Sequence, residues 1–411
     1  MSAAKKAAAI ITGRQEFAGL CQTLRQAGVF GFDTEFIRER SYRPQLCLLQ
    51  VATPDRVALV DPFQVDTREF WQIVADPAVV KVVHAGNQDL EIGYLHTQLV
   101  PANIFDVQVA AALAGLHYPL PYGKLVHSLL GVRAPQDHTV SDWSRRPLSS
   151  GQIEYAVADV AYLLGAHDKL RARLDKLARL DWLREEMLPL EAASTYAADP
   201  RLAYLRVRGH ERLRPREMAV LRELVDLRDQ GARAADLPVR TFLKDEVLVA
   251  VARRMPQTLN QLDEVRGFPT PLIRQIGQAI LDAVRAGQQV QGDLHPRAGH
   301  DDEDDPANRM LVDLACAAGQ SLCLSGQLNH ALLACRGDYA DLVRALRRGT
   351  GKPAKEPDEA KPDSAPDDQP RLLAGWRRRF AGDRLADLLR GHAALRVKGL
   401  HKKPALELDQ P

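Results

Sequence analysis

Short apolar runs bounded by turn-forming residues mark the first half of the chain. Apolar residues that are continuous, or alternate with polar ones, over four to eight positions predict β-strands. Four runs have this character, at residues 29–36, 45–52, 56–60 and 79–84. The first three are joined by short connections, which allow neighbouring strands to pair antiparallel.

Helical periodicity appears between and after these strands. Apolar residues recur at three- and four-residue spacing in four segments, at residues 66–75, 88–95, 107–114 and about 151–180. Ser149 or Ser150 is suited to cap the last and longest of them. Strands and helices together predict an α/β domain, which we place within residues 1–200.

The strand pattern ends at about residue 200. Helical segments punctuated by prolines predict a compact all-α domain at residues 205–290. A second, less regular helical region spans residues 300–400, and its insert at 351–370 has the Pro, Asp and Lys content typical of disordered chain. We assign no catalytic role to the acidic run at 301–305, because it lies in a linker.

Composition restricts the class of protein. The 411 residues are 45% hydrophobic and 26% charged, as in soluble proteins of two or three domains. The five cysteines form no C-x-x-C pair, which argues against a zinc site, and they suit a reducing compartment. Since no signal-peptide core or run of about 18 apolar residues occurs, we predict a cytoplasmic protein without a membrane segment.

Net charge leaves a nucleic-acid partner open. The 55 basic and 53 acidic side chains give only +2, so local distribution matters more than the sum. Residues 201–290 hold 16 Lys and Arg against 11 Asp and Glu, a difference of +5. Arg212, Arg214 and Arg216 are candidates there for phosphate contacts, and a solvated helix face is the alternative.

Two acidic side chains share one face of the first predicted strand. In Phe32-Asp33-Thr34-Glu35-Phe36, residues two apart point the same way, so Asp33 and Glu35 project together. Neighbouring carboxylates on an apolar strand repel each other and lose hydration, and a cation between them relieves both effects. Solvated acids at a strand end remain the alternative.

Two further acids accompany apolar segments downstream. Asp89 lies in the first turn of a predicted helix, where it also complements the helix dipole. Tyr155 and Asp159 are four residues apart on the long helix and therefore share a face. An aspartate flanked by apolar residues is either bound to a ligand or hydrogen-bonded to the tyrosine in a core. Taken alone, each motif leaves both interpretations open.

The order of these residues resembles the DEDD exonuclease superfamily. It has D-x-E on a strand, D at a helix start and Y-x-x-x-D on a later helix, as in the tyrosine-bearing subgroup. The other subgroup carries histidine five residues before the last aspartate, and here that position is Glu154. Further segments are similar to the ribonuclease D family, including its helicase-and-RNase-D C-terminal (HRDC) domains: Tyr42-x-Pro44-Gln45-Leu46, His84-Ala85-Gly86, Asp142-Trp143-x-x-Arg146-Pro147-Leu148, Leu237-Pro238 through Met255-Pro256 to Gly267, and Ala374-Gly375-Trp376-Arg377.

The resemblance implies both a fold and an activity. Residues 1–200 would form a ribonuclease-H-like α/β exonuclease domain, a mixed sheet with flanking helices, followed by an HRDC-type domain at 205–290 and a looser HRDC-like domain at 300–400. The activity would be that of a 3′→5′ exoribonuclease releasing nucleoside 5′-monophosphates, in 3′ maturation of tRNA precursors. We expect a monomer without a small-molecule cofactor.

The resemblance also implies the roles of the acidic residues. Asp33, Glu35, Asp89 and Asp159 would bind two divalent metal ions, and carboxylates without sulphur suit Mg²⁺ or Mn²⁺. Asp33 would bridge both ions, with Glu35 and Asp159 on the nucleophile side and Asp89 on the leaving-group side. A phenol of pKa near 10 is a poor base at neutral pH, so Tyr155, which with Glu35 is the predicted catalytic pair, would orient the attacking water.

The segment that precedes the predicted helix at 151–180 contains three candidates for contact with the 3′ end of RNA. Trp143 could stack on a base, and Arg145 and Arg146 could bind phosphate, whereas packing of Trp143 against the sheet is the equal alternative.

Other functions stay open at this stage. A 3′→5′ DNA exonuclease is the nearest, because the acidic motif does not select the sugar. The retention of four carboxylates and Tyr155 argues against a catalytically silent nucleic-acid-binding adaptor, and their joint spacing argues against chance acids in a structural domain.

Overall fold

A mixed sheet lies at the centre of the N-terminal domain. We describe the protein from a computed structural model, which defines residues 10–133, 142–197, 199–291, 305–349 and 369–409. Within these residues the sheet has the strand order β1-β4-β3-β2-β5-β6. Its strands are β1 (Ile10–Ile11), β2 (Val29–Ile37), β3 (Gln45–Ala52), β4 (Val57–Val60), β5 (Val80–Val83) and β6 (Ile104–Asp106).

The strand β2 joins two kinds of pairing. It pairs antiparallel with β3 and parallel with β5, and its register with β3 shifts between Glu35 and Phe36. β3 pairs antiparallel with β4, as the short connections between the first three predicted strands allow. The β1–β4 and β5–β6 pairs are parallel. The sequence pattern did not predict β1 or β6. These strands are two and three residues long, which is too short to show an alternating pattern of apolar and polar residues.

Helices flank this sheet: α1 (Arg14–Ala27), α2 (Arg68–Val74), α3 (Asn87–Thr97), α4 (Val107–Leu113), α5 (Tyr122–Leu130), α6 (Ser150–Ala161), α7 (Leu163–Lys176), α8 (Leu180–Met187) and α9 (Ala193–Tyr196). The prediction of one helix over 151–180 is wrong. Tyr162 separates α6 from α7 with non-helical backbone angles (φ −111°, ψ 0°), and its N–H donates to the Tyr122 hydroxyl at 3.3 Å. This tertiary bond is not encoded in the local periodicity.

The first helical unit, residues 200–289, has a hydrophobic core of its own. Met218, Leu221 and Leu224 are fully buried there against Leu248 and Val251. The unit begins with 3₁₀ turns at Pro200–Arg206 and His210–Arg212. Its helices are α10 (Pro215–Ala234), α11 (Val239–Phe242), α12 (Asp245–Arg254), α13 (Leu259–Asp263) and α14 (Thr270–Gln289).

The C-terminal region shares its core with the sheet domain instead. The Trp376 ring stacks on Trp182 with centroids 4.9 Å apart, and the Arg377 guanidinium pairs with Glu186. Arg179 donates to the backbone oxygens of Leu113 and Gln327, which ties both regions together. The elements are α15 (Pro306–Ser325), α16 (His330–Leu333), α17 (Arg336–Gly349), α18 (Gly375–Arg377), a π-helical turn (Arg378–Gly382), α19 (Asp383–Leu389) and a hairpin of β7 (Ala394–Val397) and β8 (Leu406–Asp409).

These elements confirm the predicted fold class of an α/β domain with a mixed sheet, followed by helical domains. The hairpin is an addition that the helical pattern did not predict. The insert predicted to be disordered at 351–370 lies outside the described residues, apart from its last two positions, and the domain limits stay predictions. Where the structure describes helices, each is too short or too polar to cross a bilayer.

Candidate active site

The pleat of β2 places two carboxylates side by side. Asp33 and Glu35 are half-buried. The Phe32 side chain points to the opposite face of β2, towards the helices, and is 1% exposed. The Phe32 ring lies edge-on against Phe70 and Trp71, with centroids 5.4 and 6.1 Å away. This aromatic contact anchors the strand, and the alternation of the pleat then fixes where both acids point.

A tight turn brings Asp89 to the same strand. One Asp89 carboxylate oxygen accepts hydrogen bonds from the backbone N–H of Thr34 (3.1 Å) and from its hydroxyl. The turn before α3 is held by Asp106, whose carboxylate accepts the N–H groups of Ala85 (3.1 Å) and Gly86 (3.2 Å). Sequence reasoning missed Asp106, although its position ahead of α4 is a typical N-cap signal.

Helix α6 contributes Tyr155 and Asp159. A capping box fixes its start, because the Ser149 hydroxyl accepts from Gln152 N–H (3.2 Å) and the Gln152 side chain accepts from Ser149 N–H (3.0 Å). One turn apart, the Tyr155 phenol and the Asp159 carboxylate are hydrogen-bonded to each other. The i, i+4 pair of the sequence prediction therefore exists in the folded chain.

A cavity of about 150 Å³ lies between β2, α5, α6 and the start of α7. It is lined by Phe32, Asp33, His84, Tyr122, Tyr155, Asp159 and Leu163. His84 belongs to the His84-Ala85-Gly86 segment noted in the sequence, and its Nε2 lies 2.9 Å from the Leu120 carbonyl oxygen. The sequence pattern did not indicate Tyr122 or Leu163 as residues of the site. Gly31 lets α7 approach, because a Cβ at that position would lie 2.9 Å from Leu163 Cβ.

Burial raises the pKa of three of these carboxylates, and neighbouring charges add to two of the shifts. Burial and the charges of Asp89, Asp159 and Glu35 hold the pKa of Asp33 well above its usual value. Burial, Asp159 and Asp89 together raise the pKa of Glu35 to about 8. Burial raises the pKa of Asp89 to about 6, and the hydrogen bonds from Thr34 oppose the shift. The site therefore concentrates negative charge that a cation would stabilise.

The tyrosine in this cluster is a neutral phenol at ordinary pH. Burial raises the pKa of Tyr155 above its usual value of 10, and the charges of Asp159, Glu35 and Asp33 act in the same direction. Tyr155 can therefore donate a hydrogen bond but is unsuited to remove a proton from water near pH 7.

The carboxylate oxygens of the cluster suit a hard cation, but the four side chains are not arranged at the distances of a complete metal site. Asp33, Glu35, Asp89 and Asp159 offer oxygen ligands, which Mg²⁺ and Mn²⁺ prefer. Across the described ranges, no group of three or more His, Cys, Asp or Glu side chains stands at the spacing of a finished metal site. The residues thus fit the ions by chemistry and mutual proximity, while their assignment as ligands stays a prediction.

Two of the predicted RNA contacts have structural roles instead. Trp143 is 4% exposed and packs beside the Tyr155 ring and Ala156, so it cannot stack on a base. The Arg146 guanidinium donates to Asp61 (2.7 and 2.9 Å) and to the Cys47 carbonyl (2.6 Å). These corrections follow because burial and occupied donors leave neither side chain available to RNA.

The other predicted contacts are accessible. The Arg145 side chain is 84% exposed and lies 3.9 Å from Asp142. Arg212, Arg214 and Arg216 are exposed at the start of α10. Their contact with RNA stays a prediction.

Comparison with known proteins gives a consistent result along the chain. Residues 8–175 match the 3′-5′ exonuclease family, and residues 217–284 match the HRDC domain. Ribonuclease D of Granulibacter bethesdensis is 35% identical over 397 residues, covering 95% of this chain and 94% of that protein. Ribonuclease D of Gluconacetobacter diazotrophicus is 35% identical over 399 residues, or 96% of each chain.

A solved structure agrees with these relatives. The crystal structure of Escherichia coli RNase D has a TM-score of 0.79 to this chain at 29% identity, covering 94% of this chain and 99% of that one. Exonucleases of the superfamily use divalent metal ions. Because the likeness extends through the sheet domain and both helical regions, the chain belongs to the ribonuclease D family and is a 3′→5′ exoribonuclease.

Proposed function

We propose that the chain hydrolyses RNA at the cavity between β2 and α6, with Asp33, Glu35, Asp89 and Asp159 as ligands of two Mg²⁺ or Mn²⁺ ions. The observation that supports this most strongly is that half-buried Asp33 and Glu35 stand on β2 beside buried Asp89, which is hydrogen-bonded to Thr34 of the same strand. Burial and the neighbouring charges raise the pKa values of Asp33 and Glu35, and bound cations would reverse these shifts. When bound, such ions supply positive charge to the scissile phosphate and lower the pKa of water.

The residues of the chain would divide the remaining work. Tyr155 would hold the attacking water in line, as a hydrogen-bonded phenol fixed by Asp159. Glu35 is the second catalytic residue of this proposal, and with Asp159 it would lie on the nucleophile side, as the family resemblance implies. Asp33 would lie between the two sides, and Asp89, fixed by Thr34, on the leaving-group side.

The substrates we propose are structured RNAs with an unpaired 3′ end, including tRNA precursors. The solved Escherichia coli relative is described as an exoribonuclease involved in structured RNA processing. A cavity of about 150 Å³ is too small to admit a duplex, so an unpaired end is the part of an RNA that could enter it. The exposed arginines of the first helical unit would bind the phosphates of the RNA body. Action as a cytoplasmic monomer stays a prediction.

The proposal is tested with a 5′-labelled tRNA precursor carrying a 3′ extension, beside a DNA strand of the same sequence. We expect stepwise shortening from the 3′ end that slows at the paired stem, release of nucleoside 5′-monophosphates, and little action on DNA. Equal degradation of the DNA strand would instead support a DNA exonuclease. RNA binding without hydrolysis at any Mg²⁺ or Mn²⁺ concentration would support a silent adaptor.

A further inference from the structure

Tyr42 joins the sheet domain to the first helical unit. Its hydroxyl donates to an Asp229 oxygen (2.8 Å) and accepts from Arg233 (3.1 Å). Its backbone N–H donates to an Asp236 oxygen (3.1 Å). The Arg233 guanidinium also lies over the tyrosine ring, 5.3 Å from its centroid, and pairs with Asp229 at 3.0 Å. Several polar contacts therefore meet on one loop residue.

The loop that carries Tyr42 is connected to both catalytic elements. It comprises residues 38–44 and directly follows β2, the strand of Asp33 and Glu35. Arg40 in the same loop donates to Asp142 (2.9 Å) and Ser144 (2.8 Å), in the segment that leads to α6. The helical unit is thus attached to a loop that continues the strand of Asp33 and Glu35 and is hydrogen-bonded to the segment ahead of α6.

The attachment is polar and partly exposed. The first helical unit has a separate hydrophobic core, whereas the C-terminal region is packed into the core of the sheet domain. Arg233 and Asp229 have side chains 68% and 39% exposed. Exposed ion pairs contribute little stability one by one, so the orientation of this unit depends on a small set of weak bonds that single substitutions can disturb.

We infer that Tyr42 is a positioning residue that holds the first helical unit where its arginines and the catalytic cavity engage one RNA molecule, and that it thereby sets the preference for structured RNA over short strands. The inference rests on the proposed binding of RNA by this unit. A short oligonucleotide occupies only the cavity and does not sense the unit. A tRNA-sized substrate contacts both the cavity and the arginines of the helical unit. Its affinity therefore depends on how the unit is oriented relative to the cavity.

The test uses Tyr42→Phe, Asp229→Asn and the double variant in the full chain. We expect KM for a 3′-extended tRNA to rise about three- to tenfold in Tyr42→Phe, as loss of one such hydrogen bond predicts. The kcat on both substrates and the KM for a short oligonucleotide should stay within about twofold. The double variant should be no worse than the stronger single variant, because both substitutions act on the same bond: Tyr42→Phe removes its donor, and Asp229→Asn replaces its charged acceptor by a neutral amide oxygen. Asp226→Asn is the matched control, since Asp226 lies on the same helix and accepts from Gln230 (2.7 Å).

The outcomes separate this inference from the proposed function. A variant with Gln at Arg212, Arg214 and Arg216 removes candidate phosphate contacts without touching Tyr42. If that variant raises KM for tRNA while the Tyr42 and Asp229 variants do not, the unit binds RNA and the role of Tyr42 is wrong. If no variant changes KM for tRNA, RNA binding by the unit is wrong too. Equal losses on the short and the long substrate would show that Tyr42 only supports folding, which also contradicts the inference.

Discussion

Asp33 and Glu35 are kept together by the pleat of β2, which gives neither side chain a way to move apart. Burial, with the charges of Asp159 and Asp89, raises the pKa of Glu35 to about 8, and burial with the charges of Asp89, Asp159 and Glu35 raises the pKa of Asp33. Asp89 differs, because hydrogen bonds from Thr34 stabilise its charged form and limit its pKa to about 6. Protons and divalent cations therefore compete for the same oxygens in this cavity.

This competition predicts how Mg²⁺ binding depends on pH. Because a raised carboxyl pKa means that a proton must leave before a cation binds, affinity should increase as pH rises from 6 to 8. We expect the dissociation constant for Mg²⁺ to fall about tenfold per pH unit for each proton displaced. Titration calorimetry in two buffers of different ionisation enthalpy measures both the affinity and the protons released. Affinity that is constant over this range, without proton release, would contradict the charge cluster.

Tyr155 is predicted to act without ionising. In Tyr155→Phe the ring and its packing against Trp143 are retained and only the hydroxyl is lost. Turnover should fall about 10²- to 10⁴-fold, the range for a positioned catalytic group, while Mg²⁺ affinity stays nearly constant. Single-turnover hydrolysis of a short RNA measures the loss. A near-normal rate would mean that Tyr155 serves packing and that the water is placed without it.

At the scale of elements, the sequence was informative where a period lies within one strand or helix. The D-x-E and Y-x-x-x-D spacings identified which side chains share a face, because those faces depend only on local geometry. Contacts between elements could not be predicted in this way. Periodicity does not encode the hydrogen bond from Thr34 to Asp89 or the position of Tyr122 in the cavity lining. Burial of Trp143 was undecidable for the same reason, since its loop has no period.

Arg146 illustrates an element-scale role that replaces a predicted RNA contact. It joins the loop before α6 to Asp61 at the end of β4 and to the Cys47 carbonyl on β3. Arg146→Gln should lower the free energy of unfolding by about 2–4 kcal/mol, because buried, charged Asp61 loses its partner. Chemical unfolding at pH 7 measures the loss, with the exposed Arg145→Gln as control.

The same pair predicts an acid dependence. Burial opposes ionisation of Asp61, but the hydrogen bonds from Arg146 outweigh it and keep the pKa of Asp61 below its usual value of 3.8. A carboxylate with a lowered pKa stabilises the fold above its unfolded pKa, and that contribution is lost as pH falls through the folded value. In Arg146→Gln burial acts on Asp61 without this opposition and raises its pKa, so the difference between wild type and variant should be largest at pH 7, shrink as the pH falls, and be smallest below about pH 4. A difference that stays constant between pH 7 and about pH 3 would rule out Asp61 as the partner that matters.

At the scale of the whole molecule, the C-terminal region completes the catalytic domain. Trp182, Arg179 and Glu186 of the sheet domain contact Trp376, Arg377 and the segment before α16. A chain ended near residue 200 would expose these groups, so truncation would report on folding as well as on RNA binding. Substitutions in the full chain are the better test of what the first helical unit does.

The arginines of that unit are predicted to contribute electrostatic affinity. Replacing Arg212, Arg214 and Arg216 by Gln should raise KM for a 3′-extended tRNA more than for a short oligonucleotide. Loss of three phosphate contacts should reduce the slope of log KM against log salt by about 2. The measurement is kcat/KM over a salt series, with Gln at the exposed Arg266 and Arg274 of the same unit as control. An unchanged slope would assign these arginines to a solvated surface.

Metal-dependent hydrolysis at the acidic cavity is tested by Asp33→Asn. Turnover of a 3′-extended RNA is measured for wild type and variant across an Mg²⁺ series and with excess chelator, and RNA binding is measured in parallel. Chelator should abolish release of nucleoside 5′-monophosphate by the wild type. Asp33→Asn should retain less than about a tenth of the turnover, with RNA binding preserved. Turnover above that level in Asp33→Asn, or hydrolysis that persists in chelator, would contradict metal-dependent hydrolysis at this cavity.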